Sequence, residues 1–120
     1  QKEQNMVNKK KILCFDLDGV ICKTKKNYYR NSKPIKKNII QINNYYEKGY
    51  FIKIFTSRFM GRSKENVSIA KKKGYLFTQK QLKKWGIKYD KLIMGKPSYD
   101  VFIDDKAFNS IEDYFLKKNE

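Results

Sequence analysis

Histidine is absent from this chain of 120 residues. That absence excludes a histidine-based catalytic triad, a histidine-ligated zinc and an imidazole general base. Any acid–base chemistry falls to carboxylates, lysine, tyrosine or cysteine. Arginine is scarce, with Arg30, Arg58 and Arg62 the whole supply. The two cysteines, Cys14 and Cys22, make no disulfide framework. Cys14 lies inside an apolar run and reads as a buried, reduced thiol. No apolar stretch approaches the roughly 20 residues that a membrane-spanning helix needs, and no secretory signal pattern is present. The expectation is a soluble, cytoplasmic chain with no membrane partner.

What is abundant is lysine. Lys and Arg total 28 against 12 Asp and Glu, a formal charge of +16. Clustered cations bind phosphate chains through counterion release, which invites a nucleic-acid reading. Specific readers of nucleic acid lean on the bidentate geometry of arginine, and this chain has little of it. A basic surface that attracts small anionic substrates accounts for the charge as well, and it is the reading preferred here.

The length suits one compact domain with a core of modest size. Residues 1–11 are polar and without periodicity and read as a frayed end, leaving 12–120 as the single domain. Ile12 to Phe15 is short and continuously apolar, the mark of a fully buried strand. Cys22 to Lys33 reads as a polar loop bearing tyrosines. Pro34 can open a helix at its first turn; Ile35, Ile39, Ile40, Ile42 and Tyr46 give its stripe, and Gly49 stops it. Phe51 to Phe55 is a second strand. Helical sequence around Lys64 to Lys73 is expected to end at Gly74, and a second amphipathic piece runs from Gln79 to Trp85. Two further strands are expected near Lys91 to Met94 and Asp100 to Ile103. Asn109-Ser110-Ile111-Glu112 has the spacing of a capping box headed by Asn109. Strands alternating with helices argue for an α/β fold with a parallel sheet covered on both sides.

In such open sheets chemistry gathers beyond the carboxyl ends of the strands. Asp16 and Asp18 follow the first strand, Thr56 the second, and Asp104 and Asp105 the fourth, with Lys96 just ahead of it. Two carboxylates one residue apart disfavour joint ionisation unless something offsets their repulsion. A divalent cation does so, and hard Mg²⁺ prefers carboxylate oxygens and water. Phosphoryl transfer needs these same parts. Positive charge must neutralise the phosphate oxygens, an ionised Asp can attack phosphorus, and a second carboxyl group can shuttle the proton.

"FDLDGV" at Phe15 to Val20, then "FTSR", "GKPSYD" and "FIDDKA" in that order, resemble the haloacid dehalogenase (HAD) superfamily of phosphatases from about Ile12 to Asn109. The resemblance implies a Rossmann-like core with Asp16 as nucleophile and Asp18 as general acid/base. It implies that Thr56 binds the transferring phosphoryl group and that Lys96 steadies the shared negative charge. Mg²⁺ would be held by Asp16, the Asp18 backbone carbonyl and Asp104, with Asp105 either a further ligand or a support through a water. Gly19 fits an unusual turn after the acids. The gaps between motifs leave no room for a sizeable cap, so the loop after the first strand (Tyr28, Tyr29, Arg30) or a neighbouring subunit is expected to shape the pocket. That keeps a homo-oligomer open. Thr56, Ser57, Arg58, Arg62 and Lys96 are the candidate substrate contacts. Thr56 and Ser57 also suit capping of the following helix, and Arg62 equally suits a solvated loop. "FTSR", "WGIKYDKLIMGKP" and "IDDKA" look like small phosphatases found with bacterial capsule and surface-polysaccharide enzymes. The implied substrate is a phosphorylated sugar or a small polyol or amino-alcohol phosphate. The alternatives are a nucleotide or nucleic-acid end, or a non-catalytic phosphate-binding module.

Overall fold

The computed structural model describes residues 11–118. The frayed end expected over residues 1–11 therefore lies almost wholly outside the described residues.

Three strands form a parallel sheet: β1 (Ile12–Asp16), β4 (Phe51–Thr56) and β5 (Lys91–Met94), in the spatial order β1-β4-β5. Two short strands, β2 (Cys22–Lys23) and β3 (Lys33–Pro34), pair antiparallel and tie off the loop that follows β1. Parallel strands cannot be joined by tight hairpins, so helices carry the chain back across the sheet. Those helices are α1 (Lys36–Glu47) between β3 and β4, and α2 (Val67–Trp85) between β4 and β5. A third, α3 (Ile111–Lys118), follows the last strand. The result is a small α/β unit, a three-stranded parallel sheet flanked by helices.

The central strand β4 is the most thoroughly covered, with Ile52 and Ile54 fully buried. They pack with Ile42 of α1, Leu82 of α2 and Leu17 and Ile21 of the turn after β1. Asp90 extends the ladder at the entry of β5. Its carboxylate accepts the Ile52 N–H at 2.8 Å while its own N–H donates to the Ile52 carbonyl at 2.8 Å. A strand paired on both sides, with apolar residues toward helices, is the stiff part of such a fold.

Four local expectations change. The first strand is not fully buried, because its side chains alternate. Leu13 and Phe15 pack on the core, whereas Ile12 and Cys14 face outward and Cys14 is exposed. Helix α1 begins at Lys36 rather than at Pro34, because Pro34 is taken up by the pairing with Cys22. On that helix Ile39, Ile42 and Tyr45 are buried, while Ile40 stays outside.

Gly74 does not end a helix; α2 runs through it without interruption. The glycine is there for contact. A Cβ at Gly74 would lie 2.2 Å from the Phe59 ring, so only hydrogen lets that ring lie against the helix. Finally, the cap of α3 sits one residue later than expected. Ser110 Oγ, not Asn109, accepts the Asp113 N–H at 3.0 Å.

The segment expected as a fourth strand forms no strand and has no strand partner among the described residues. Residues 95–110 form neither helix nor strand, and Val101 and Ile103 are 73% and 91% exposed. A short continuous apolar run supplies strand-forming side chains but not the neighbour that completes its hydrogen bonds.

Candidate active site at the carboxyl edge of the sheet

Parallel pairing aligns the three strand ends. Asp16, the last residue of β1, stands opposite Phe55, and Thr56, the last of β4, stands opposite Met94 of β5. The chain leaves β5 through Gly95, and the Lys96 N–H then donates to the Thr56 carbonyl at 3.1 Å. Asp16, Thr56 and Lys96 thus meet at one edge from three segments far apart in sequence.

Lys96 Nζ lies 3.6 Å from Asp16 Oδ1. Its side chain is only 9% exposed, and its ammonium sits among the rings of Phe102, Tyr99 and Phe55, with centroids at 5.0, 5.2 and 6.0 Å. Ring faces attract a cation, which offsets part of what burial costs it. Burial opposes the charge, but a hydrogen bond to Tyr99 and the nearby Asp16 carboxylate carry the Lys96 pKa above its ordinary value. Asp16 accepts the Leu17 N–H at 2.9 Å. Burial pushes its pKa up, outweighing the pull of Lys96 in the other direction. The two groups face one another as a carboxyl and an amine at the end of β1 and just after β5.

Thr56 is 1% exposed, and its Oγ1 accepts the Arg58 N–H at 3.1 Å. The hydroxyl therefore closes the turn after β4 and keeps its own proton to donate. The following helix α2 is capped instead by Asn66, whose Oδ1 accepts the Ile69 N–H at 3.1 Å, so neither Thr56 nor Ser57 is its cap. The turn after β1 is equally fixed. Gly19 adopts φ +100°, a conformation that costs glycine least, and the N–H groups of Ile21 and Cys22 both reach the Leu17 carbonyl.

That turn aims Asp18 at a partner the sequence does not indicate. Arg58 is buried to 1% exposure, and its guanidinium grips the Asp18 carboxylate as a fork. Nε reaches Oδ2 at 2.9 Å and Nη2 reaches Oδ1 at 2.9 Å. Thr24 Oγ1 donates to Asp18 Oδ1 at 2.5 Å, and the Cys22 thiol approaches the same oxygen at 3.4 Å. Burial, then the negative charge of Asp18, pushes the Cys22 thiol up to about 11, so it stays protonated. The remaining Arg58 donors go to Gln81 Oε1 at 2.6 Å and Ser32 Oγ at 3.1 Å. Cys22, Thr24, Ser32 and Gln81 were not foreseen. They are ordinary polar residues with no motif, and only folding sets them around one guanidinium.

The structure brings Asp16, Thr56 and Lys96 together and places Asp18 and Arg58 beside them as a locked pair. Ser57 is half-buried in the turn that carries Arg58. Arg62 is exposed, donates to the Asn27 carbonyl and lies over the rings of Tyr29 and Phe59. Asp104 and Asp105 are not brought in. Both are exposed on the unpaired segment, where the Lys106 N–H, 2.9 Å from Asp104 Oδ1, holds the Asp104 carboxyl below its ordinary pKa. Among the described residues no three His, Cys, Asp or Glu side chains converge as a metal site. With Asp104 and Asp105 both outside, the residues as placed do not fit Mg²⁺.

The fold and this edge define a small α/β protein whose parallel strands deliver a carboxylate, a hydroxyl and a buried lysine to one place. The chain belongs to the same family as an MCSG target from Vibrio cholerae whose crystal structure is known. The two share 31% sequence identity at a TM-score of 0.76, over 82% of this chain and 83% of that one. No protein-family model matches the sequence, and no curated protein matches it. No helix among the described residues is long and apolar enough to cross a membrane.

Proposed function

We propose that this protein is a phosphate monoester hydrolase of the HAD superfamily, acting in the cytoplasm on a small phosphorylated metabolite. The observation that carries the reading is the Asp16–Lys96 pair, 3.6 Å apart beside buried Thr56 at the carboxyl edge of adjacent parallel strands. The arrangement matches what a phosphoryl group demands, with a nucleophile in line and positive charge and a hydroxyl for its oxygens.

The first step forms a bond between an Asp16 oxygen and phosphorus and breaks the ester P–O bond. The leaving alkoxide takes a proton from Asp18. In the second step water attacks the aspartyl-phosphate, Asp18 takes its proton, and inorganic phosphate leaves as Asp16 is regenerated. Thr56 Oγ1 and Lys96 Nζ bear the oxygens of the transferring group. Arg58 holds the Asp18 carboxylate in place through two hydrogen bonds, Nε to Oδ2 and Nη2 to Oδ1, each at 2.9 Å.

Magnesium belongs to this proposal through the resemblance alone. The apolar run Val101–Ile103 is exposed, and among the described residues β1 pairs only with β4, which leaves its outer edge open. Pairing of that run with the open edge would carry Asp104 and Asp105 toward Asp16, and this is the arrangement in which a metal would be held. The small capsule and surface-polysaccharide phosphatases that the motifs resemble suggest a sugar phosphate or a small polyol or amino-alcohol phosphate. The locked Asp18 favours a second reading, a phosphate-binding module without turnover.

Phosphate release from a panel of sugar phosphates, phospho-amino alcohols, nucleotides and 3′-phosphorylated oligonucleotides separates these readings. Turnover of at least one ester, abolished in Asp16→Asn and slowed about a hundredfold or more in Asp18→Asn, supports the hydrolase. Turnover retained in Asp16→Asn removes that residue from the nucleophile's role, and silence across the panel favours the module.

A further inference from the structure

One cavity has none of Asp16, Thr56 and Lys96 in its lining. It has a volume of about 450 Å³ and is walled by the loop after β2, by Phe59 and Arg62, and by Lys73 and Phe77 of α2. Its lining combines three cations, Arg30, Arg62 and Lys73, with the rings of Tyr28, Tyr29, Phe59 and Phe77, and it includes no carboxylate.

The rings are organised. Tyr29 and Phe59 lie 4.9 Å apart between centroids, and Phe77 meets Phe59 edge-on at 6.4 Å. Arg62 is held in place over Tyr29 at 5.1 Å and over Phe59 at 5.2 Å while donating to the Asn27 carbonyl. Phe59 takes φ +67°, an unusual conformation for a residue with a side chain, and its ring fills the space left by Gly74. A strained residue kept in place by tight packing is a feature that clusters at ligand sites. Tyr28, at the rim, is 61% exposed.

We propose that this cavity is a subsite for a nucleoside phosphate, its base lying on the aromatic wall and its phosphates on Arg30, Arg62 and Lys73. Flat π-faces take up a base whatever its sequence, and several cations without a carboxylate ask for more than one anionic oxygen group. A volume of this size is in the range of small-molecule sites. The cavity also adjoins the chemistry. The Tyr29 ring that bears Arg62 is 4.8 Å from the Arg58 guanidinium, which grips Asp18. In naming the substrate's nucleotide part, the inference rests on the phosphatase reading; the binding itself does not.

The test is calorimetric titration of Asp16→Asn protein with ADP, inorganic pyrophosphate and ribose 5-phosphate, which separates binding from turnover. The expected result is ADP bound at least tenfold more tightly than either fragment, with a tenfold or greater loss in Arg62→Ala. Lys73→Glu reverses one charge on an exposed helix position and is expected to weaken ADP similarly even where Arg62→Ala perturbs the loop. Pyrophosphate binding as tightly as ADP, no measurable ADP binding, or ADP affinity unchanged in Lys73→Glu each overturns the subsite. ADP bound as expected, by a wild-type protein that releases phosphate from no ester, keeps the subsite and discards the phosphatase.

Discussion

Arg58 and Asp18, forty positions apart, hold one another in a two-pronged ion pair whose cationic side is wholly inside the protein. A guanidinium removed from water needs every donor placed, and here carboxylate, amide and hydroxyl oxygens surround it. The pair ties the turn after β1 to the turn after β4, so the two strand ends that carry Asp16 and Thr56 keep one spacing.

Removing the cation should therefore be costly. Arg58→Met leaves Asp18 facing Thr24 and Cys22 without its counter-charge, and is expected to lower unfolding free energy by about 3–5 kcal/mol. The double variant Asp18→Asn/Arg58→Met should recover part of that loss. Urea unfolding of the three proteins decides it; a single variant within ~1 kcal/mol of wild type means the pair contributes little.

The Gly74–Phe59 contact predicts a change of sign. Gly74→Ala in the wild-type background forces the Phe59 ring to move and should destabilise by about 1–3 kcal/mol. In a Phe59→Ala background the same change meets open space, and the better helix propensity of alanine should stabilise by up to about 1 kcal/mol. Equal effects in both backgrounds would show that the ring does not rest on the helix.

Burial raises the Asp16 pKa. The nucleophile must be ionised, so the acid limb of kcat/KM is expected at a pH above that of an ordinary aspartate. Lys96 pulls the Asp16 value down, so Lys96→Met should move the limb further toward neutral pH as well as lowering the rate. The matching stability term has the opposite sense. The folded protein binds this proton more tightly than the unfolded chain, so the contribution of Asp16 to stability grows as pH falls through the folded value. A limb unmoved by Lys96→Met contradicts the pairing.

The two thiols should separate cleanly. Cys14 is exposed on the outer face of β1, whereas Cys22 is buried with its pKa raised to about 11. Thiolate is the reactive form, so iodoacetamide at neutral pH is expected to label Cys14 in the native protein and Cys22 only after unfolding. Mass spectrometry of peptides reads both sites. Rapid native labelling of Cys22 would show that the network around Asp18 opens.

Metal dependence tests the acids that stay outside the site. If Val101–Ile103 pairs with the open edge of β1 and brings Asp104 to the site, EDTA is expected to silence phosphate release and Mg²⁺ to restore it. Asp104→Asn is expected to raise the Mg²⁺ concentration needed for half activity tenfold or more. Activity indifferent to EDTA would remove magnesium, and Asp104 with it, from the mechanism.

Much of the architecture was legible because it is local. The apolar runs that became β1, β4 and β5, the stop at Gly49 and the turn at Gly19 follow from side-chain type and backbone freedom over a few residues. The edge at which Asp16, Thr56 and Lys96 meet was also foreseeable, since parallel strands joined by helices must end on one side. Whether a glycine breaks a helix or accommodates a ring was not legible. At Gly74 the answer depends on Phe59, fifteen positions away and in a different turn.

The sequence by itself determined which residues carry charge at the strand ends and that strands alternate with helices, because both are properties of short stretches. Only the tertiary structure decided that Asp18 would be held by Arg58, that Cys14 would face solvent, and that Val101–Ile103 would lack a partner strand. Each of those outcomes depends on which distant surface arrives beside a residue. Burial, ion pairing and strand pairing are relations between two segments, and neither segment alone contains them.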